Sequence, residues 1–346
     1  RDGGMIVDLL TAIQFELSAL QDSGSEDARR RLAELEEEKR QALARNGRLV
    51  DLYGDPSVPE GTWESYFQRV KEQGVLHPFR GPGFEQRATE LEQKLDLVDW
   101  EREKILLFVG RLISTKGIHA VITALPLLLE ARPDLRLVVV GHGPLREPLE
   151  AMLWAMERGD RVLLQRIVAR GVVLEGSIEG GDESSELAEA ARFLERLREE
   201  GRAERYFDTA RRLVRQDRVL FTGYLTHHEL RHLFPCCDAA VFPSVVKEAG
   251  PLVFLEAIAS GAFPLGTYFG GMRASIDTVA EFLPAEAADL MKLDPRPEQT
   301  VEDIVRHTPR ALVEGERHRE VLNRVARDRF DWRSVAARLR HALERM

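Results

Sequence analysis

The chain has 346 residues, 44% of them hydrophobic, and a formal charge of −9 from 58 acidic against 49 Lys and Arg side chains. That length suffices for one large core or two, and the acidic balance lacks the basic footprint that neutralises nucleic-acid phosphates. No apolar run reaches the ~20 residues that cross a bilayer, and Arg1-Asp2-Gly3-Gly4 does not open a secretory signal, so a soluble, cytoplasmic protein is expected.

Residues 1–99 read as helical and charged, as in Ala28–Asn46 (ARRRLAELEEEKRQALARN), with no convincing strand. The first strand is expected at Lys104–Gly110 (KILLFVG), and the turn Gly110-Arg111-Leu112-Ile113-Ser114-Thr115-Lys116-Gly117 leads into a helix over Ile118–Arg132. Arg111 and Lys116 place two cations beside one strand end, where an Arg fork and a Lys point charge suit phosphate oxygens. A second strand over Leu135–Gly141 (LRLVVVG) ends in Gly141-His142-Gly143-Pro144. A helical insertion is expected over about 157–216, with an uncertain Leu163–Leu174 segment and two charged amphipathic helices, Ser184–Glu199 and Ala203–Arg215, broken at Gly201. Leu187, Leu194, Leu197, Leu213 and Val214 form one face suited to lying on the parent domain, and a partner domain or oligomer held through the helical segments is the other reading.

The third strand, Arg218–Gly223, leads into Gly223-Tyr224-Leu225 and then Thr226-His227-His228-Glu229, which has the form of a helix capping box. His228 and His232 stand at metal-compatible spacing, but the capping box reads better as the start of a surface helix. The adjacent Cys236 and Cys237 read as small buried hydrophobes, since neighbours in sequence cannot build a disulfide framework.

A fourth strand over Asp238–Pro243 precedes the most informative stretch, Pro243–Ala257 (PSVVKEAGPLVFLEA). Pro251 fits the first helical position with Gly250 as cap. The N–H groups of Leu252 and Val253 then point outward unpaired, an anion site for which a diphosphate is the natural occupant. Glu256 lies one turn further along the helix Leu252–Ser260, able to accept hydrogen bonds from a diol such as ribose, while Glu248 stays in the loop. A fifth strand, Phe263–Thr267, is followed by Gly270-Gly271, and then by helices expected over Val301–His307, Arg317–Arg327 and Trp332–Glu344.

Continuous apolar strands separated by helices describe an α/β fold with a Rossmann-like parallel sheet and helices on both faces. Ligands of such sheets sit at the carboxyl ends of the strands. The absence of G-x-G-x-x-G after the first strand disfavours a dinucleotide dehydrogenase. Three divisions are expected: a helical segment at 1–99, a Rossmann-like domain with the helical insertion at 100–290, and C-terminal helices at 291–346 that pack back on it.

In this order the motifs resemble the donor-binding, C-terminal domain of retaining glycosyltransferases of the two-domain GT-B type, the family of sucrose-phosphate synthases, bacterial glycogen synthases and phosphatidylinositol mannosyltransferases. The resemblance spans about 104–279 outside the insertion. It implies that Arg111 and Lys116, beside Gly110, contact the donor diphosphate, that Glu248 holds hydroxyls of the donor sugar, and that Glu256 holds the ribose. It also implies that the Tyr224-Leu225 loop meets the nucleobase, that Gly141 and Gly143 form a second glycine-rich turn, and that Gly270-Gly271 is a later glycine pair. Phe330-Asp331-Trp332 resembles the start of the family's last helix, with plain aromatic anchoring as the other reading. The sequence departs from the family where Gly250 replaces a frequent aromatic and Pro251 removes an amide, and residues 1–99 show neither the His nor the glycine-rich loop of an acceptor domain. The implied reaction moves a hexosyl group from a nucleoside-diphosphate sugar, UDP-glucose for instance, to the hydroxyl of a sugar or other acceptor, without cofactor or protein-bound metal. A non-catalytic nucleotide-sugar-binding scaffold and a sugar-nucleotide epimerase are the alternatives.

Overall fold

The computed structural model describes residues 92–174 and 186–344. The expectations placed on residues 1–91, and the Ser184 start of an insertion helix, lie outside them. In chain order come β1 (Lys104–Val109), α1 (Ile118–Ala131), β2 (Leu135–Val140), α2 (Arg146–Arg158), α3 (Arg161–Leu174), α4 (Ala188–Glu199), α5 (Ala203–Leu213) and β3 (Val219–Gly223). These are followed by α6 (His227–Leu233), β4 (Ala239–Phe242), α7 (Leu252–Ser260), β5 (Phe263–Thr267), α8 (Gly270–Ala280), α9 (Ala285–Leu290), β6 (Lys292–Leu293), α10 (Pro297–Val325) and α11 (Trp332–Leu343). The segment of uncertain type at Leu163–Leu174 is thus helix α3. Among the described residues no helix is long and apolar enough to cross a membrane.

The protein is α/β, with six described strands in one wholly parallel sheet of order β3-β2-β1-β4-β5-β6, flanked by helices. Every residue of β2 is buried, as expected of a strand covered on both faces. Winding proceeds outward from β1 to β3, then resumes on the other side of β1 with β4. The direction of winding reverses between β1 and β4, and a doubly wound sheet receives its ligand in the crevice at that reversal, because the loops leaving the two strands diverge there. The sixth strand, only two residues long, has no counterpart among the expected elements; its Leu293 pairs with Thr267 at the sheet edge.

Helix α1 is apolar nearly all round, so it needs cover on all sides, and α4, α5 and α10 supply it. Two of its buried polar atoms find partners on those helices. His119 Nε2 lies 2.7 Å from Glu189 Oε2 of α4, and the Tyr206 hydroxyl of α5 donates to the Thr123 carbonyl at 2.8 Å. Leu187, Leu197 and Val214 are fully buried and Leu194 and Leu213 partly so, which places the expected apolar face against the sheet domain.

The C-terminal segments differ from expectation. Residues expected as two helices form the single 29-residue α10, which continues through Pro309. An interior proline costs about 3 kcal/mol, and the burial of Ile304, Ala311 and Leu312 offsets this at about 1–3 kcal/mol per large side chain. A π-turn over Ala326–Phe330 then leads to α11, where Asp331 Oδ1 accepts from the Arg333 N–H at 2.9 Å. Trp332 is 77% exposed, so it anchors nothing here; only Phe330 of that motif packs on the core.

Candidate functional site

The loops that leave β1 and β4 at the sheet reversal are tied together by hydrogen bonds. The Val245 N–H donates to the Thr115 carbonyl at 3.0 Å and the Ser244 hydroxyl reaches the same oxygen at 3.2 Å. From the β5 side, the Thr267 hydroxyl donates to the Ser244 carbonyl at 2.7 Å. Gly117 makes this contact geometrically feasible. Its φ is +70°, and a Cβ there would stand 1.8 Å from the Pro243 carbonyl oxygen, so any side chain would both strain the backbone and separate the loops.

Within the crevice, Lys116 Nζ and Glu248 Oε1 form an ion pair 2.8 Å long, with side chains 32% and 20% exposed. The Glu248 backbone is fixed independently, because its carbonyl accepts from the Gly271 N–H at 2.7 Å. A Cβ on Gly271 would meet the Ala249 carbonyl at 2.3 Å, so the glycine pair at the start of α8 permits a close approach of two backbones. A cavity of about 220 Å³ opens here, lined by Gly110, Lys116, Glu248, Gly250, Leu252 and Val253 among others. Phe108, Phe242, Ser244 and Met272 also line it and were not anticipated. Phe108 and Phe242 end apolar strands, which gives them no sequence signal beyond that of core residues.

The helix end at α7 differs from the sequence reading. The cap is Pro251, one residue later than expected, with φ −80° and ψ 77°. These angles describe an inverse γ-turn, and the Leu252 N–H accordingly donates to the Gly250 carbonyl at 3.0 Å. Leu252 is therefore not an unpaired donor, and its side chain is 59% exposed. Of these two amides, that of Val253 has no partner among the described residues. Deeper in α7, Glu256 Oε1 lies 3.0 Å from His227 Nδ1, while Oε2 is buried without a hydrogen-bond partner. His227 enters from the first position of α6, whose capping box is complete: Thr226 N–H donates to Glu229 Oε2 at 2.6 Å, and the Glu229 N–H to Thr226 Oγ1 at 3.4 Å. No cluster of three or more metal-ligating side chains occurs among the described residues.

Arg111 is exposed and does not line the cavity. It belongs to a neighbouring rim. Burial, and next the positive charge of Arg111, push the His142 imidazole below its ordinary value, and the Tyr224 ring stands edge-on to His142 at 5.8 Å. The backbones of this rim are joined by hydrogen bonds from Gly141 N–H to the Gly223 carbonyl (2.8 Å) and from Leu112 N–H to the His142 carbonyl (2.9 Å). Gly143 sits under the Leu112 carbonyl. Tyr224 is 56% exposed, whereas the Leu225 side chain is buried in the core, so only its backbone is left to face a ligand. The structure thus brings Gly110, Lys116, Glu248, Gly250, Leu252 and Val253 to one cavity and sets Arg111, Gly141, Gly143 and Tyr224 on the adjoining edge. Such an array offers a cation, a free amide and a carboxylate to a phosphorylated, hydroxyl-bearing molecule.

The family model described as glycosyl transferases group 1 matches residues 92–169 and 199–280. An uncharacterized glycosyltransferase of Methanocaldococcus jannaschii is 26% identical over 174 residues, covering 50% of this chain and 30% of that protein. The glycogen synthase of Mycobacterium tuberculosis is 25% identical over 231 residues, covering 67% of this chain and 40% of its own length. The matched stretches therefore span under half of these relatives. A crystal structure of Anabaena HepE in complex with UDP-glucose is 16% identical, covering 75% of this chain and 53% of that one, with a TM-score of 0.43. The sheet domain is thus similar to glycosyl transferases of group 1 over those residues.

Proposed function

We propose that this chain supplies the donor-binding domain of a group 1 glycosyl transferase, and that it moves a hexosyl group from a nucleoside-diphosphate sugar to an acceptor hydroxyl with retention at the anomeric carbon. The observation that supports this best is the Lys116–Glu248 pair beside the free Val253 amide, at the point where the sheet reverses.

In this reading the donor diphosphate lies against Val253 N–H and takes Lys116 as its counter-charge, with Arg111 approaching from the rim. The exchange is physically reasonable because a partly exposed Lys–Glu pair is weaker than its short distance suggests, whereas a diphosphate offers Lys116 more charge and the helix end a better partner. Glu248, released from Lys116, then accepts from hydroxyls of the donor sugar, and Glu256 accepts from the ribose. Departure of the nucleoside diphosphate leaves an oxocarbenium-like sugar. Lys116, Val253 N–H and Arg111 stabilise the charge that collects on the leaving group, so the reading calls for no protein-bound metal.

The test is calorimetric titration of the full chain with UDP, GDP and ADP, repeated on Lys116→Ala and Glu248→Gln. One nucleotide is expected to bind and to lose affinity in Lys116→Ala, with Glu248→Gln affecting the sugar nucleotide more than the bare diphosphate. Failure of all three to bind the unsubstituted chain would overturn the assignment.

A further inference from the structure

Building on that reading, we propose that His227 is the positioning residue for Glu256, fixing the carboxylate oxygen that receives the donor ribose. A carboxylate has two oxygens with two lone-pair directions each, and the two oxygens of Glu256 live in different surroundings. Oε2 is buried and unpartnered, while Oε1 faces His227 Nδ1 at 3.0 Å. No inner group therefore holds the carboxylate by hydrogen bonding. Among the described residues its orientation depends on the single contact from His227, and Oε1 keeps a second lone pair for a hydroxyl.

His227 suits this part because its own backbone is held. It follows Thr226 directly, and the Thr226–Glu229 capping box fixes the chain where α6 begins. The pair also contributes little to folding, since the His227 side chain is 79% exposed and the Glu256 side chain 33% exposed, and exposed ion pairs are nearly neutral for stability. An exposed imidazole aimed at a half-buried carboxylate on another helix is thus better explained by orientation than by stability.

The experiment is a double-mutant cycle between protein and ligand. The tightest of UDP, GDP and ADP is titrated against the full chain, His227→Ala and His227→Asn, and each titration is repeated with the 2′,3′-dideoxy form of the same nucleotide. In the unsubstituted chain the ribose hydroxyls are expected to strengthen binding by about tenfold, the worth of a hydrogen bond to a charged acceptor. His227→Ala is expected to abolish most of that ratio while leaving dideoxynucleotide affinity and the melting temperature nearly unchanged. His227→Asn, whose amide nitrogen can replace Nδ1 as donor, is expected to restore it. An unchanged ratio in His227→Ala, with binding intact, overturns the positioning role alone. No binding of any nucleotide to the unsubstituted chain overturns the donor reading and this role with it.

Discussion

The same chemical pairing, a basic group against a carboxylate, occurs in two regions of this molecule with opposite consequences. On the helical flank, His119 and Glu189 join α1 to α4 with side chains 1% and 6% exposed. At the carboxyl edge of the sheet, Lys116 and Glu248 meet at nearly the same distance but with side chains 32% and 20% exposed. Water cannot replace a partner on the flank, so the pair is fixed once folding is complete. At the sheet edge the pair is more accessible, and the proposed function has each member exchange its partner for a ligand atom. Burial, and not residue type, therefore separates a structural pair from one available for binding.

The sharpest way to break this contrast is to disturb the backbone contact beneath the crevice. Gly117→Ala adds a Cβ 1.8 Å from the Pro243 carbonyl at a φ of +70°. We expect a loss of about 3 kcal/mol or more in stability, visible as a lowered urea midpoint, together with loss of nucleotide binding. A substitution tolerated on both counts would mean that the two loops are not packed as described.

On the flank, Glu189→Ala leaves His119 buried without its partner and should cost about 3 kcal/mol with nucleotide affinity unchanged. Burial raises the Glu189 carboxyl, but the hydrogen bond and charge of His119 outweigh it and hold the group below its ordinary value of 4.5. The stability it contributes is accordingly present above pH 4.5 and fades as the pH falls through the lower folded-state value. The urea midpoint difference between Glu189→Ala and the unsubstituted chain should therefore narrow in acid.

At the crevice, Lys116→Ala should show the reverse pattern. Nucleoside diphosphate affinity is expected to fall by about 10- to 100-fold, the worth of a charge-assisted hydrogen bond, with stability changed by less than about 1 kcal/mol. Equal effects on melting and binding would erase the distinction between the two regions.

Glu150 on α2 tests burial without a satisfactory pairing. Burial pushes this carboxyl up to about 7, and neighbouring Arg146, whose Nε donates to Oε1 at 2.8 Å, opposes the shift without cancelling it. The folded chain then holds an extra proton between pH 4.5 and about 7, and stability falls as pH rises through that window. Glu150→Gln stays neutral, so its midpoint should gain on the unsubstituted chain by about 1–3 kcal/mol between pH 5 and 8. The smallest effect expected is about 1 kcal/mol from Tyr206→Phe, which removes the hydrogen bond to the Thr123 carbonyl but keeps the ring packing.

Much of the architecture was legible because burial on two faces leaves a plain mark: the runs at 104–109, 135–140 and 263–267 are mostly apolar without polar alternation, and each is a strand. Lys292–Leu293 was not legible, since two residues carry no period, and the helices expected over Val301–His307 and Arg317–Arg327 are parts of one helix that runs through Pro309. Sequence reasoning found the loops of the crevice but misjudged their hydrogen bonding. Pro251 was read as a helix start, whereas the Gly250 carbonyl turns back onto Leu252. His227 was read for its cap, and its contact with Glu256 spans 29 residues and two helices. No local pattern encodes such a contact.

The turn at Pro251 has one more consequence. Its pyrrolidine ring already restricts φ in the unfolded chain, and the Gly250–Leu252 hydrogen bond closes the remaining freedom. The conformational entropy of aligning the Val253 amide is thus lost during folding, and under the proposed function little is left to lose on binding the diphosphate. Replacing the ring by a flexible residue should make binding entropically costlier while every contact in the bound state stays the same.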